Sequence, residues 1–290
     1  MTVYNLGSIN ADNVYGVSHH VAPGETLAAT ALTQGLGGKG ANMSVAAARA
    51  AARVVHIGAV GSDGRWAVGR LLEYGVDTRH IAEVQVPTGH ANICVDPTGE
   101  NTIVVFSGAN HAISDKMIGA ALSEASAGDI FVTQNETNGQ AQAVKTAKAL
   151  GLRIAYAAAP FEPAAVSAVL ENLDLLVLNE VEAEQLARET RSDLGDLAVA
   201  DVVVTLGAKG CRWLRKGAEA QDFAAIKVDA VDTTGAGDTF TGYLIAGLDR
   251  GMPMPQAIDL ATRAAALMVT RLGTADVIPD LKELEDQRLG

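Results

Sequence analysis

Short apolar runs rich in β-branched residues recur along this chain, and each ends in polar residues. Val54 to Val60 runs into Gly61-Ser62-Asp63-Gly64, Ile130 to Thr133 into Gln134-Asn135-Glu136, Leu175 to Leu178 into Asn179-Glu180, and Val202 to Leu206 into Gly207. Segments with helical spacing separate them, as over Gln140 to Leu150 and Pro163 to Asn172. Alternation of this kind predicts an α/β fold of right-handed βαβ units around a mostly parallel sheet. Ligands of such sheets gather at the carboxyl ends of the strands. The polar residues fall at those ends, four times in succession.

Two segments break the alternation. Residues 10–36 and 86–107 read as antiparallel strands with turns, and Asp96-Pro97-Thr98-Gly99 marks a hairpin between Ala91–Val95 and Thr102–Phe106. Together they predict a small β-sheet projecting beside the ligand edge, a candidate lid. The charged tail, Leu281 to Gly290, predicts a surface helix.

At 290 residues, with 48% hydrophobic and 19% charged content, the chain suits a single domain spanning 1–290 with an ample core. A net charge of −12 and the lack of any Lys/Arg-rich tract exclude a nucleic-acid partner. Cys94 and Cys211 have no metal-site spacing and read as buried free thiols of a reducing compartment. No apolar run reaches membrane-spanning length, and Met1-Thr2-Val3-Tyr4-Asn5 does not open a signal peptide. The expectation is a cytoplasmic protein with no membrane partner.

The chemistry concentrates in Asp232-Thr233-Thr234-Gly235-Ala236-Gly237-Asp238. Small residues let backbone amides approach an anion, and a helix begins there, read from Phe240, Leu244, Ile245 and Leu248 and stopped by Gly251 and Pro253. A carboxylate in its first turn can take a proton from a hydroxyl. The alternative is a capped surface helix, where such an Asp is ordinary. Gly35-Leu36-Gly37-Gly38-Lys39-Gly40 satisfies GxGxxG, but the first acidic residue after it is Asp63, beyond the next strand, so the context of a dinucleotide site is missing. A Walker A loop fails because Ala41 follows Gly40. Gly37 to Asn42 reads better as a glycine turn leading into a helix over Met43 to Arg53, with bare backbone and Asn42 offered to a polyol.

Gly7 to Asp12, Gly37 to Asn42, Thr88-Gly89, Gly108-Ala109-Asn110, Asn179 to Glu182, Thr205 to Gly210 and Asp232 to Asp238 follow one another in an order and spacing that resembles the ribokinase branch of the PfkB carbohydrate kinase family. The resemblance implies a ribokinase-like fold with a β-sheet lid and transfer of phosphate from ATP to a sugar's primary hydroxyl. It implies that Asn10, Asp12, Gly38, Lys39, Asn42 and Glu136 hold sugar hydroxyls, that Asp238 is the base, and that Gly235, Ala236 and Gly237 form the anion hole. Asn179, Thr205, Gly207 and Gly210 match nucleotide-binding positions, and Glu182 matches a position serving Mg²⁺ through water. Asp232 and Thr234 match part of a monovalent-cation site, for K⁺. The exposed edges and apolar face expected of the lid predict a homodimer formed lid to lid.

Departures narrow the implication. Ala157-Ala158-Ala159-Pro160 stands where Asn-Pro-Ala-Pro is usual, Arg188 to Asp201 is short, Val277 replaces a small polar residue near the cation, and Tyr243 a small one. No Lys or Arg occurs from Met1 to Gly38 or between Arg79 and Lys116, which disfavours an already phosphorylated sugar. Ribose leads, followed by deoxyribose, another furanose, 2-keto-3-deoxygluconate or a nucleoside, whose base Tyr4, Tyr15 and Phe106 are available to contact. A non-catalytic sugar or nucleoside sensor is the rival from another class.

Overall fold

Successive side chains of a strand point to opposite faces. In residues 1–287, which this computed structural model describes, they feed two separate cores. Val3, Val54, Ile130, Val132, Val177 and Val203 enter one; Tyr4, Val55, Ile57, Phe131, Leu176 and Val202 enter the other. A strand buried on both faces needs helices on both sides.

In chain order the strands are β1 (Thr2–Leu6), β2 (Asn10–Gly16), β3 (Ala31–Gly37), β4 (Arg53–Val60), β5 (Asp77–Glu83), β6 (Gly89–Val95), β7 (Asn101–Phe106), β8 (Ile130–Thr133), β9 (Arg153–Ala157), β10 (Leu175–Asn179), β11 (Asp201–Thr205), β12 (Cys211–Arg215) and β13 (Gln221–Phe223). The helices are α1 (Lys39–Arg49), α2 (Arg65–Glu73), α3 (Asp115–Leu122), α4 (Gln140–Ala149), α5 (Pro163–Val169), α6 (Glu180–Thr190), α7 (Ala236–Asp249), α8 (Met254–Met268) and α9 (Leu281–Asp286). The large sheet has the order β13-β12-β11-β10-β9-β8-β1-β4-β5 and is parallel except at β11–β12 and β12–β13. Residues of α1, α2, α7, α8 and α9 join the first core, and residues of α3, α4, α5 and α6 the second. The result is a three-layer sandwich.

The four strands outside this sheet form the smaller one, in the order β3-β2-β6-β7. The hairpin at Asp96 forms in the expected register, with Val95 opposite Asn101 and His90 opposite Phe106. The two antiparallel pairs join by a parallel pairing of β2 with β6, which local pattern alone does not reveal.

Three expectations need correction. The glycine turn is shorter than predicted: Gly38, at φ 92°, caps α1, so the helix starts at Lys39 instead of Met43. Its first amides are met from outside, Gly40 by the Ser8 hydroxyl at 3.2 Å and Ala41 by the Ser8 carbonyl at 2.9 Å, which lets Gly40, a poor helix former, sit in the first turn. At the other end Ala51 turns through φ 64° and Arg53 opens β4, overriding an alanine run with high helix propensity. Cys211 is buried as expected, but Cys94, on the half-covered β6, is only partly so. The tail helix ends at Asp286; positions 288–290 lie outside the described residues.

Candidate active site

Helix α7 starts on Gly235, at φ 77°, with no side-chain cap. An uncapped start leaves amides free for a ligand. Ala236 donates to the Thr233 carbonyl at 3.2 Å, while the amides of Gly237 and Asp238 meet no acceptor among the described residues. Gly242 fixes where this helix lies, because a Cβ there would stand 2.5 Å from the Ala46 Cβ and 2.6 Å from the Met43 carbonyl oxygen of α1. This close approach brings Asn42 Nδ2 to 2.9 Å from Asp238 Oδ2. The Asn42 side-chain oxygen, Oδ1, is buried without a partner among the described residues. Tyr243, one of the departures, is fully buried and donates to the Pro279 carbonyl at 2.5 Å, tying α7 to the C-terminal segment.

Polar groups gather on the lid side of Asp238. Glu136 Oε2 accepts from the Ser8 hydroxyl at 2.5 Å and from the Lys39 amide at 3.0 Å. Asn110 donates to Asn10 Oδ1 at 2.7 Å and accepts from the Ile9 amide at 2.9 Å. The Asp12 carboxylate lies against the bare Cα of Gly37, where any Cβ would be 2.0 Å from Oδ2. Burial, with Glu136 and Asp238 nearby, pushes Asp12 up to about 7. Burial likewise raises Asp238 to about 6, against the opposing pull of Lys39 and the Asn42 hydrogen bond. Lys39 is raised in turn, first by Asp238.

On the other side opens a cavity of about 780 Å³. Lys39, Asp238 and the Gly235–Gly237 turn line it, as do Asn179, Thr205, Gly207 and Gly210, with apolar wall from Ala225, Ile226 and Val228 and from Ala265 and Ala266 of α8. Ala157 and Ala159 line it too, so the departure there makes that stretch apolar. Gly210, at φ 103°, is forced: a Cβ would stand 1.9 Å from the Phe223 carbonyl oxygen.

Asn179 and Glu182 cap α6 mutually, each side chain accepting the other's amide at 2.8 Å. Among the described residues the second Glu182 oxygen accepts no hydrogen bond, and burial raises this carboxyl above its usual range. One buried carboxylate beside a phosphate-sized space fits Mg²⁺, which keeps most of its shell as water and phosphate oxygen. Asp232 and Thr234 do not line the cavity; Asp232 accepts from the Thr234 amide at 2.9 Å and the Gly273 amide at 3.2 Å, and Val277 packs beside Gly273. Among the described residues, the group of three side chains placed to share a metal is His20, Asp96 and Glu100, on the lid and off the cavity.

Sequence reasoning gave no role to Ser8, which carries Glu136, or to Thr233 and the Ala225–Val228 wall. The wall is irregular backbone with no periodicity to read. Tyr4 is corrected as a base contact, since it is 3% exposed in the core facing α3 and α4.

An uncapped glycine helix start, a buried carboxylate and a long cavity on a doubly covered parallel sheet define a phosphate-handling α/β enzyme. Residues 2–281 match the family described as pfkB family carbohydrate kinase. A ribokinase of Haemophilus influenzae is 37% identical over 97% of this chain and 96% of its own. Among solved structures, ribokinase from Thermotoga maritima is 32% identical at a TM-score of 0.89, covering 99% of this chain and 98% of its own. A ribokinase of Arabidopsis thaliana complexed with ribose and ATP is 27% identical at a TM-score of 0.86, covering 98% and 97%. The chain belongs to the pfkB family of carbohydrate kinases and is an ATP-dependent kinase with a ribokinase-like fold.

Proposed function

We propose that this enzyme transfers the γ-phosphate of ATP to the primary hydroxyl of ribose. The observation that carries the reading is the position of Asp238. It is buried at an uncapped helix start, between the carboxylate and amide groups around Glu136 and the cavity. Asn10, Asp12, Lys39, Asn42 and Glu136 hold the sugar, and Gly38 gives it bare backbone to lie against. Asn42 Oδ1, which has no partner among the described residues, accepts from a sugar hydroxyl. Asp238 takes the proton of the attacking hydroxyl, and the Gly235–Gly237 turn, with the Gly237 amide left without an acceptor among the described residues, meets the transferred phosphoryl group. ATP lies along Asn179, Thr205, Gly207 and Gly210, its base on the apolar wall. Glu182 would hold Mg²⁺ through water, and the ion would supply charge neutralisation at the phosphates. Asp232 and Thr234 brace the glycine loop and are candidates for a K⁺ site, although both Asp232 oxygens already accept backbone amides.

The test is ADP release from Mg-ATP with free sugars, nucleosides and sugar phosphates, with and without potassium. Turnover on ribose is the expected result. Turnover confined to deoxyribose, 2-keto-3-deoxygluconate or a nucleoside reassigns the substrate, and confined to a phosphorylated sugar it overturns the charge argument of the lid. Sugar binding with no turnover on any of them supports the sensor.

The lid gives the same reading a quaternary side. Strand β7 is exposed throughout, with Val104 65% and Val105 59% accessible, and Leu32 on β3 is exposed as well. Apolar edge strands of this kind attract pairing, and a second copy's lid is the proposed cover. Sedimentation should give a dimer mass; a monomer mass unchanged with concentration rules it out. We place the enzyme in the cytoplasm, where its two thiols stay reduced. Among the described residues no helix is long and apolar enough to cross a membrane.

A further inference from the structure

A chain of buried polar side chains lies under the loop that carries Ser8, and no step of the proposed reaction uses it. Gln134 Nε2 donates to Asn5 Oδ1 at 2.8 Å. Asn5 Nδ2 donates at 2.8 Å both to the Gly40 carbonyl and to Ser44 Oγ. Ser44 Oγ meets His56 Nδ1 at 2.8 Å, and His56 Nε2 meets the Gly7 carbonyl at 3.1 Å. Asn5, Ser44, His56 and Gln134 are each no more than 1% exposed. The proton directions are determined. A carbonyl only accepts, so His56 carries its hydrogen on Nε2. Burial holds its ring neutral, with the pKa down at about 4, so Nδ1 is the acceptor and Ser44 the donor.

His56 at one end of the chain and Asn5 within it hold the backbone carbonyls of two glycines in contact. A Cβ on Gly7 would stand 2.5 Å from the Gly40 Cα, and one on Gly40 2.4 Å from the Gly7 Cα. Each glycine borders a group that converges on Glu136: Ser8 follows Gly7, and Lys39 precedes Gly40. Gly40 also donates its amide to Ser8. A shift of a few tenths of an ångström between the two glycines would therefore displace both donors to Glu136.

We infer that His56, acting through Ser44 and Asn5, is a positioning residue that fixes the Gly7–Gly40 contact and with it the Ser8–Glu136–Lys39 arrangement of the sugar site. This rests on the functional reading above only in calling that arrangement the sugar site. Every side-chain polar atom of Asn5, Ser44 and His56 has a partner, and only Gln134 Oε1, at the far end, lacks one among the described residues. A satisfied stretch of buried network specifies one geometry. His56 touches neither sugar nor nucleotide, so its loss should appear in sugar binding and not in the nucleotide half.

The experiment has two arms. Nitrogen-15 NMR of the wild-type imidazole should show the neutral Nε2–H tautomer from pH 6 to 8; an Nδ1–H tautomer, or a ring titrating in that range, overturns the inference whatever the substrate. In kinetics, Ser44→Ala and His56→Leu should each raise the ribose KM about tenfold, the net worth of one hydrogen bond. The KM for ATP and kcat should stay unchanged. The double variant should be little worse than either single one, because the two act in one network. His56→Gln, which keeps a donor for the Gly7 carbonyl, should recover part of the loss. If the KM values for ribose and ATP rise together, the network is merely structural and the inference fails. If His56→Leu does not fold, Ser44→Ala and the tautomer still decide. If the wild-type enzyme phosphorylates no sugar, the functional reading fails separately. In that case the amide shifts of Ser8 and Lys39, expected to move in Ser44→Ala, carry the test.

Discussion

Asp238→Asn should lower kcat on the order of 10³-fold, the usual worth of a positioned general base. Ribose and ATP should still bind with near wild-type affinity, since the amide keeps the shape of the carboxylate and can still meet Asn42. Steady-state kinetics and calorimetric titration of each ligand separate the two effects; an unchanged kcat removes Asp238 from the chemistry. The pH dependence follows with a defined sign. A base works only when deprotonated, and Asp238 is raised to about 6, so activity falls as pH drops below about 6. Asp12, raised to about 7, titrates in the same range and faces Asp238, so kcat/KM for ribose should show a shared acid limb over about pH 6 to 7. The same shift has a stability sign. A carboxyl raised in the folded state stabilises below its unfolded value near 3.8, and that contribution is lost as pH rises through about 6. At pH 7.5 the ionised Asp238 therefore costs the empty enzyme on the order of 3 kcal/mol, and Asp238→Asn should melt higher than wild type. Lower activity with a higher Tm is the signature of a group strained for function.

The large sheet was legible because its strands are continuous apolar runs buried on both faces, a pattern a surface loop cannot imitate. Ile130 to Thr133 and Leu175 to Leu178 appear within a residue of the expected limits. The lid was legible as two pieces, from the Asp96 turn and the break in alternation, but the β2–β6 pairing joins residues about 80 positions apart and leaves no local trace. The start of α1 was misplaced because glycine propensity argues for a turn, whereas the Ser8 hydroxyl and carbonyl, some 30 residues away, make a helix there possible. Candidate site residues that carry motifs, Asp238 and Asn42 among them, could be named in advance. Their electrostatics could not, since the upward shifts of Asp12 and Asp238 arise from burial and from neighbours that only the fold brings together. The Gln134–Asn5–Ser44–His56 chain was invisible for the same reason: it links β1, α1, β4 and the end of β8 through four ordinary residues.

Gly37→Ala should raise the ribose KM on the order of 100-fold while leaving the KM for ATP and the melting temperature near wild type. Gly37 does not use a left-handed backbone, so alanine introduces no strain there. Its Cβ would stand 2.0 Å from Asp12 Oδ2, 2.1 Å from Cγ and 2.3 Å from Oδ1, so the carboxylate must leave. These atoms end a side chain able to rotate, and the fold can absorb the change. The sugar cannot, if Asp12 binds it: two hydrogen bonds to a charged group are worth about 1.5 kcal/mol each, and about 3 kcal/mol together is a factor on the order of 100. Two residues earlier on the same strand face, Gly35→Ala adds a Cβ that meets nothing within 4 Å and should change nothing. The pair isolates the Asp12 position from any general effect of adding a methyl group to β3. A ribose KM untouched by Gly37→Ala takes Asp12 out of the sugar site, because the substitution cannot be accommodated with the carboxylate in place. NAD(H) binding by the wild type, lost in Gly37→Ala, would instead return the Gly35–Gly40 motif to a dinucleotide. The absence of a ribose-binding acid after that motif, with Asp63 capping the turn at Thr88 through bonds of 3.0 and 2.7 Å, argues against that outcome.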